Sequence, residues 1–420
     1  MKVTIVETSE ELIELSKLSE TTQFVVVPLF QEYVHPVISD PVVVFLKPIE
    51  LDDVYVIGIS HSECLSPKFD FENIRNSFVY NKKYFNLSNS IDIDSIYYIQ
   101  NIDYDDDFIK NINDIRIYPI YKLIDSVSPL LKVFSIECSK YDQLLIEQEK
   151  PIKFLNQVTI PTLAQMESYG IRVSPTFAHQ NLIINGLVFS QYNHLTVTGR
   201  PSNRYGGVNF SALNKSDSSR TPFISRYDNG SLFLLDYDSY HLRLIAKLIN
   251  YDLPKDSVHT YFAKQYFQTD NITEEMYEES KKISFRMLYG GILAEYKHVK
   301  FFQEIQTLLD NLWESHQSVG YVPSIISGIK ITADSKTKLF NYIIQNYETE
   351  QNMLVLRKIL IATKSFKSVP VLYTYDSLLF DVDSGESTAY IELVKDIMEM
   401  EGTFPVKISC GKNYGDMQKM

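Results

Sequence analysis

Hydrophobic and polar positions follow two different rhythms along this chain of 420 residues. In the N-terminal part, the short β-branched runs FVVVPLF, PVVVFLKPI and VYVIGIS are separated by polar stretches and preceded by the helical spacing of SEELIELSKL. That pattern predicts a small α/β domain. The prolines of SVSPLLKVF and QEKPIKF place a boundary near 145–155, dividing the chain into domains over 1–150 and 151–420. From Ile152 the spacing predicts a helix through PTLAQMESYG that ends at Gly170, then extended or looped chain to about residue 230. A strand into Asp236, a helix from about 240 and another over TEEMYEESKKISFRMLYGG follow. VPVLYTYDSLLFDV reads as two strands around a turn, STAYIELVKDIMEM as a helix and PVKIS as a last strand. Sequential strands joined by a tight turn point to an antiparallel sheet packed by helices, so the fold class is α/β (α+β). There is no internal repeat or low-complexity tract.

Composition sharpens this picture. A hydrophobic fraction of 45% supports packed cores rather than disorder. Apolar runs such as Phe24 to Phe30 stop far short of the ~20 residues of a membrane helix, and MKVTIVETSEELIEL lacks the layout of a signal peptide. The expectation is a soluble, cytoplasmic protein with no membrane partner. Cys64, Cys138 and Cys410 are too widely spaced for a disulfide framework or a zinc site. The net charge of −13 argues against a polyanionic partner until its distribution is examined. Residues 1–150 carry 25 acidic against 13 basic side chains, whereas 151–420 carry 28 against 27, so only the second part suits a nucleic acid.

Two constellations carry chemistry. Asp236 ends an apolar strand and Asp376 lies in the turn between VLYTY and LLFDV. Two carboxylates at the rim of one sheet are what a pair of Mg²⁺ ions needs, although turns also use aspartate for purely local reasons. Lys281, Phe285 and Tyr289 recur every four residues and line one helix face, offering a cation, an aromatic plate and a hydroxyl to one ligand. A triphosphate bearing a base fits that face; an ordinary amphipathic helix with a solvated lysine has the same spacing. NIDYDDDF reads as a solvated acidic loop rather than a metal site.

Taken in order, these segments resemble family A DNA polymerases, the group of bacterial DNA polymerase I and its phage and mitochondrial relatives. MESYGIRV is similar to the family's "ME..G..V", TGRPS at 198–202 to "TGRLSS", and Arg220 with Phe223 to a later "R..F". DYDSYHLR resembles "DYSQIELR" of motif A, SVHTYFA resembles "DIHRATA", and KKISFRMLYGG resembles "K...F...YG" of motif B. NYIIQ is similar to "N..IQ", YTYDSLLFDV to "QVHDELVFEV" of motif C, and FPVKISCGKNYGDM to the family's closing segment. The resemblance spans residues 160–417. It implies a right-hand palm with helical fingers and in-line attack of a primer 3′-hydroxyl on the α-phosphate of a dNTP, with pyrophosphate leaving. Asp236, Asp376 and the backbone carbonyl of Tyr237 would hold two Mg²⁺ ions, with Mn²⁺ as a substitute. Lys281 and His259 would meet the triphosphate, and Phe285 and Tyr289 the nascent base pair. Arg200, Arg220, Arg243, Gln345 and Tyr375 fall where the family touches primer-template DNA or the network behind it.

The chain also departs from the family. His241 replaces the motif A glutamate that excludes ribonucleotides, Tyr277 replaces the arginine that opens motif B, and Ser377 replaces the glutamate after the motif C aspartate. Asp238 stands where the family has serine and, two residues from Asp236, is expected to restore part of the lost negative charge. Only residues 171–197 separate MESYG from TGR, where the family inserts a helical thumb, so the thumb is expected to be largely missing and a processivity partner to compensate. The N-terminal part resembles the family's RNase H-like 3′–5′ exonuclease domain in VTIVETSEELIELSKL, VYVIGISHSE and VYNKKYFNL. The metal-binding "D.E" is replaced by VVVPLFQE, which leaves Asp92, Asp94 and Asp103 for any alternative arrangement, and the expectation is an inactive scaffold of phage type. Erosion at 241, 277 and 377 keeps two other readings open: a polymerase-derived nucleic-acid or replisome-binding protein without catalysis, and a ribonucleotide-tolerant or template-independent nucleotidyltransferase.

Overall fold

A computed structural model describes residues 2–31, 35–74, 76–105, 112, 114–203 and 208–420. Asp106 to Phe108 of the acidic loop, and Glu32 of VVVPLFQE, lie outside the described residues. The chain divides into two units, Met1–Ser168 and Tyr169–Met420.

The first unit is built on a six-stranded sheet of β1 (Lys2–Ile5), β2 (Phe24–Leu29), β3 (Val43–Pro48), β4 (Asp53–Gly58), β5 (Ser77–Val79) and β6 (Ile91–Asp92), in the order β1-β4-β3-β2-β5-β6. The β2–β3 and β3–β4 pairs are antiparallel, whereas β2–β5, β5–β6 and β1–β4 are parallel. Three antiparallel strands are continued by two parallel ones, with β1 added at the edge beside β4. All six residues of β2 are buried, including Pro28, which lies beyond the last β5 pairing at Val26 and so leaves no ladder donor missing on that side. Helix α1 (Ser9–Ser19) opens on a capping box in which Thr8 accepts from the Glu11 amide and the Glu11 carboxylate accepts from the Thr8 amide.

The prolines expected to mark a boundary lie inside helices. Counting α2 (Ile93–Gln100), Pro129 sits within α3 (Ile120–Cys138) and Pro151 within α4 (Tyr141–Phe154). A proline ring clashes with the carbonyl four residues back, and α4 absorbs this with a non-helical Gln148 at φ −133°. The chain then continues through a π-helical stretch, Leu155–Thr159, into α5 (Ile160–Tyr169), so the division falls at residues 168/169.

The second unit begins with short pieces: β7 (Ile171–Val173), β8 (Leu187–Val188), β9 (Tyr192–Asn193), β10 (Ser202–Asn203) and β11 (Phe223–Ile224). Among the described residues no α-helix lies between Tyr169 and Tyr240. Its main sheet is antiparallel throughout, with β12 (Ser231–Tyr237) at the centre. After the two-stranded β13 (Val322–Pro323) and β14 (Lys330–Ile331), the sheet is completed by β15 (Val369–Thr374), β16 (Ser377–Val382), β17 (Val406–Gly411) and β18 (Gln418–Lys419), in the order β15-β16-β12-β17-β18. The helices are α6 (Tyr240–Leu248), α7 (Val258–Phe267), α8 (Glu274–Gly290), α9 (Lys300–Val319), α10 (Lys336–Ala362) and α11 (Ser387–Glu399). Helices α6 to α10 share one apolar core around Phe262, Phe301 and Phe302. No helix among the described residues is long and apolar enough to cross a membrane.

Asp381 locks β16 in place. Fully buried, its carboxylate accepts from Ser225 Oγ at 2.6 Å and from the Arg226 backbone N and Nε at 2.9 Å each. Arg226 donates its remaining amine to the carbonyls of Tyr169 and Gly170. Removing the carboxylate strands a guanidinium in a largely buried place, so Asp381→Ala should lower stability in urea denaturation by about 3 kcal/mol, with Asp381→Asn recovering part of the loss.

Candidate active site

The strand order brings the two sequence-predicted aspartates together. In the β12–β16 register Asp236 lies opposite Ser377, and the Tyr237 amide donates to the Asp376 carbonyl at 3.1 Å. Asp236 is the penultimate residue of its strand, so its side chain reaches the rim while Leu235 and Tyr237 are buried. Burial first, and then the charge of Asp376, push the Asp236 carboxyl up to about 6, against weaker attraction from Lys215 and Lys407. Asp376 is also raised, first by its crowded surroundings and then by Glu348, with His241 and Arg200 opposing, although the residue still meets solvent. The Tyr237 ring is committed elsewhere: it stacks on Tyr240 at 4.0 Å and donates to the Met398 carbonyl. Its side chain is therefore withdrawn from the rim, where only its backbone remains.

Asp376 rides on a two-residue turn whose first residue, Tyr375, has φ +57°. A tyrosine seldom adopts this left-handed conformation. Two side chains hold it there: the Arg200 guanidinium lies 3.8 Å above its ring, and Asn352 Nδ2 donates to its carbonyl at 2.8 Å. Asn352 also accepts from the Tyr240 hydroxyl, joining this turn to the start of α6. Arg200 in turn follows a tight turn in which Gly199 takes φ +66°, a conformation suited to glycine, and Asn346 of α10 donates to the Thr198 carbonyl.

At the middle of this arrangement stands a residue that sequence reasoning missed. Glu348 on α10 is 1% exposed and lies 3.2 Å from both Arg200 and His241 Nε2. The other His241 nitrogen, Nδ1, bonds the Tyr289 hydroxyl, whose ring is parallel to Phe285. One buried carboxylate thus lies among the turn before Arg200, helix α6 and, through His241, the last turn of α8. Its segment NYETEQN looks like a solvated helix face, yet Asn346 through Asn352 are all buried because neighbours enclose α10 on every side.

On α8, Lys281, Phe285 and Tyr289 share a face: Phe285 is 48% exposed, whereas Tyr289 is partly buried and packs against the apolar core. The helix is capped by Thr273, whose side chain accepts from the Met276 amide. Lys281 bonds Glu278 at 2.6 Å and sits over the Tyr277 ring. His259 lies against Tyr277 and Phe285, buried and held neutral, its pKa lowered to about 4 by desolvation, which outweighs the pull of Asp238.

Three expected roles change. Arg220, buried, spends its donors on the Leu213 carbonyl and lies over Tyr414; Arg243, also buried, donates to the carbonyls of Asp238, Pro254, Lys255 and Asp256. Both guanidiniums pin loops, and their hydrogen-bonding capacity faces inward rather than toward phosphates. Asp238 is no spare carboxylate: it contacts Lys407 on one oxygen and lies 3.6 Å from Arg243 on the other. Gln345 is partly exposed on α10, one turn before Glu348. Asp92 and Asp94 of the first unit are likewise occupied, Asp92 capping α2 through Ser95 and Asp94 accepting from Tyr104 and the Asn81 amide. Among the described residues no three His, Cys, Asp or Glu side chains converge on a metal-sized space, so the second-unit site is a carboxylate pair.

No family model matches the chain. Among solved structures, the chain is similar to the POL domain of Pol1 from M. smegmatis in complex with DNA primer-template and dNTP, at 15% identity and a TM-score of 0.77, with 99% of each chain covered. The fold is that of a DNA polymerase domain.

Ionised Asp236 is unfavourable where it stands. Its pKa is higher folded than unfolded, so its contribution to stability is greatest at low pH and falls as pH rises from about 4 through about 6. Without divalent cations, Asp236→Asn should therefore be more stable than the parent above pH 6, by about 2 kcal/mol, and equal to it below pH 4. Thermal unfolding across that pH range measures the difference.

Proposed function

We propose that this protein is a divergent family A DNA polymerase that extends a primer on a DNA template. The observation that carries the reading is the pairing of Asp236 and Asp376 at one sheet rim, joined through Glu348, His241 and Tyr289 to a helix face that offers Lys281 and Phe285. The donors fit hard divalent cations: two carboxylates that repel each other across a partly buried gap, with the Tyr237 carbonyl alongside. Asp236, Asp376 and that carbonyl would hold two Mg²⁺ ions, or Mn²⁺, which when bound lower the barrier to attack by the primer hydroxyl and stabilise the leaving oxygen. Lys281 and His259 bind the triphosphate, and Phe285 with Tyr289 supplies a flat surface for the nascent base pair.

His241 keeps a sugar wall in place of the family's glutamate. With Nδ1 bonded to the Tyr289 hydroxyl, Nε2 3.2 Å from Glu348 and a side chain only 13% exposed, it is restrained from swinging aside for a 2′-hydroxyl, so dNTPs are preferred over NTPs. The first unit acts as an inactive exonuclease-like scaffold, since Asp92 and Asp94 are spent on local hydrogen bonds. With no α-helix among the described residues between Tyr169 and Tyr240, the protein holds a duplex weakly, which suits a phage-type enzyme working in its host's cytoplasm with a processivity partner.

Primer extension with Mg²⁺ and then Mn²⁺ tests this reading. The parent should extend, and Asp236→Ala or Asp376→Ala should lose about a thousandfold, the equivalent of about 4 kcal/mol. Failure of the parent under every condition would leave a nucleic-acid-binding protein. His241→Ala should raise kcat/KM for NTPs relative to dNTPs by about tenfold, whereas an unchanged ratio removes the wall.

A further inference from the structure

A lysine outside every recognised motif stands at the edge of this site. In the β12–β17 register Lys407 is directly opposite Asp236, and opposed residues of an antiparallel pair project to the same face. Its side chain is 59% exposed, with the ammonium resting on Asp238. Asp238 does not depend on it, because Arg243 stays beside the other carboxylate oxygen and donates to the Asp238 carbonyl. Releasing Lys407 therefore breaks only an exposed ion pair, worth about 1 kcal/mol or less.

What surrounds Lys407 indicates what it would be released to. Its charge acts on both Asp236 and His259, and His259 also feels Lys281. His259 of α7 lies against the Tyr277 ring that Lys281 of α8 covers, and Lys407 reaches Asp238 from β17. His259 is 7% exposed, and its Nδ1 has no hydrogen-bond partner among the described residues, an arrangement that costs free energy until a ligand supplies one. On α8 the arginine that the resemblance leads one to expect is Tyr277, whose ring lies under Lys281. A polyphosphate entering here meets one cation fewer from the helix side and one more from the sheet.

We propose that Lys407 is a polyphosphate-binding residue, which leaves Asp238 for the β- or γ-phosphate of the incoming nucleotide while His259 and Lys281 close from the facing helices. The identity of the ligand as a nucleoside triphosphate rests on the polymerase reading; the cationic site does not.

Calorimetric titration of the full chain with dATP, and separately with inorganic tripolyphosphate, in Mg²⁺ and without primer, tests the site directly. Lys407→Gln should weaken both ligands about tenfold, the loss of one charge-assisted contact, and Lys407→Arg should restore affinity to within about twofold. Asp238→Asn, which frees the ammonium, should tighten both. In primer extension Lys407→Gln should raise KM for dNTP about tenfold with kcat changed less than about twofold. Wild-type affinity in Lys407→Gln, with an unchanged melting temperature, overturns the proposal even if the parent extends primers. Conversely, weakened tripolyphosphate binding in Lys407→Gln beside a parent that extends nothing keeps the site and sinks the polymerase reading.

Discussion

Two carboxylates held close together in a partly dry place repel one another, and the second unit is arranged to keep them there. Strand β12 lies between β16 and β17, so Asp236 cannot move away from Asp376 without breaking ladders on both sides. A third carboxylate, Glu348, adds to the negative potential and is balanced by Arg200 and His241. The balance is incomplete at the rim, since both aspartates remain easier to protonate than an ordinary carboxylate. Stability has been given up locally in a pattern that favours multivalent cations, a trade common where function requires charge to be concentrated.

Much of this was legible in the sequence because it is written locally. Strands β12, β15 and β16 follow from apolar runs, the turn from its polar interruption, and the α8 face from a spacing of four. Strands β2, β3 and β4 of the first unit coincide with its three β-branched runs. Glu348 was illegible for a tertiary reason: NYETEQN has the composition of a solvated helix, and only the enclosure of α10 makes those residues interior. Arg220 and Arg243 sat at plausible DNA-facing positions, but no motif records whether a guanidinium turns outward or into neighbouring carbonyls. Pro151 misled about the boundary because a helix can absorb a proline by distorting at Gln148. Asp238 had the right spacing to restore a lost negative charge beside Asp236, yet cross-strand and helical partners claim it first.

Positions that differ from the motifs the sequence resembles share one feature in the structure. His241 faces a carboxylate that arrives from α10, and Asp236 faces a lysine that arrives from β17. Charges of the right sign surround the same space but arrive on other elements.

The Tyr375 turn has a consequence for dissecting this protein. A tyrosine at positive φ stores on the order of 1 to 3 kcal/mol of strain, held by a guanidinium from the Gly199 turn and an amide from α10. A peptide spanning only the two strands would carry neither restraint, and its turn would relax to another conformation with Asp376 aimed elsewhere. The hairpin that looks most self-contained in the sequence is therefore not an autonomous part. Its active geometry is assembled from segments separated by well over a hundred residues, and any minimal fragment must keep Arg200, Asn352 and everything that seats them.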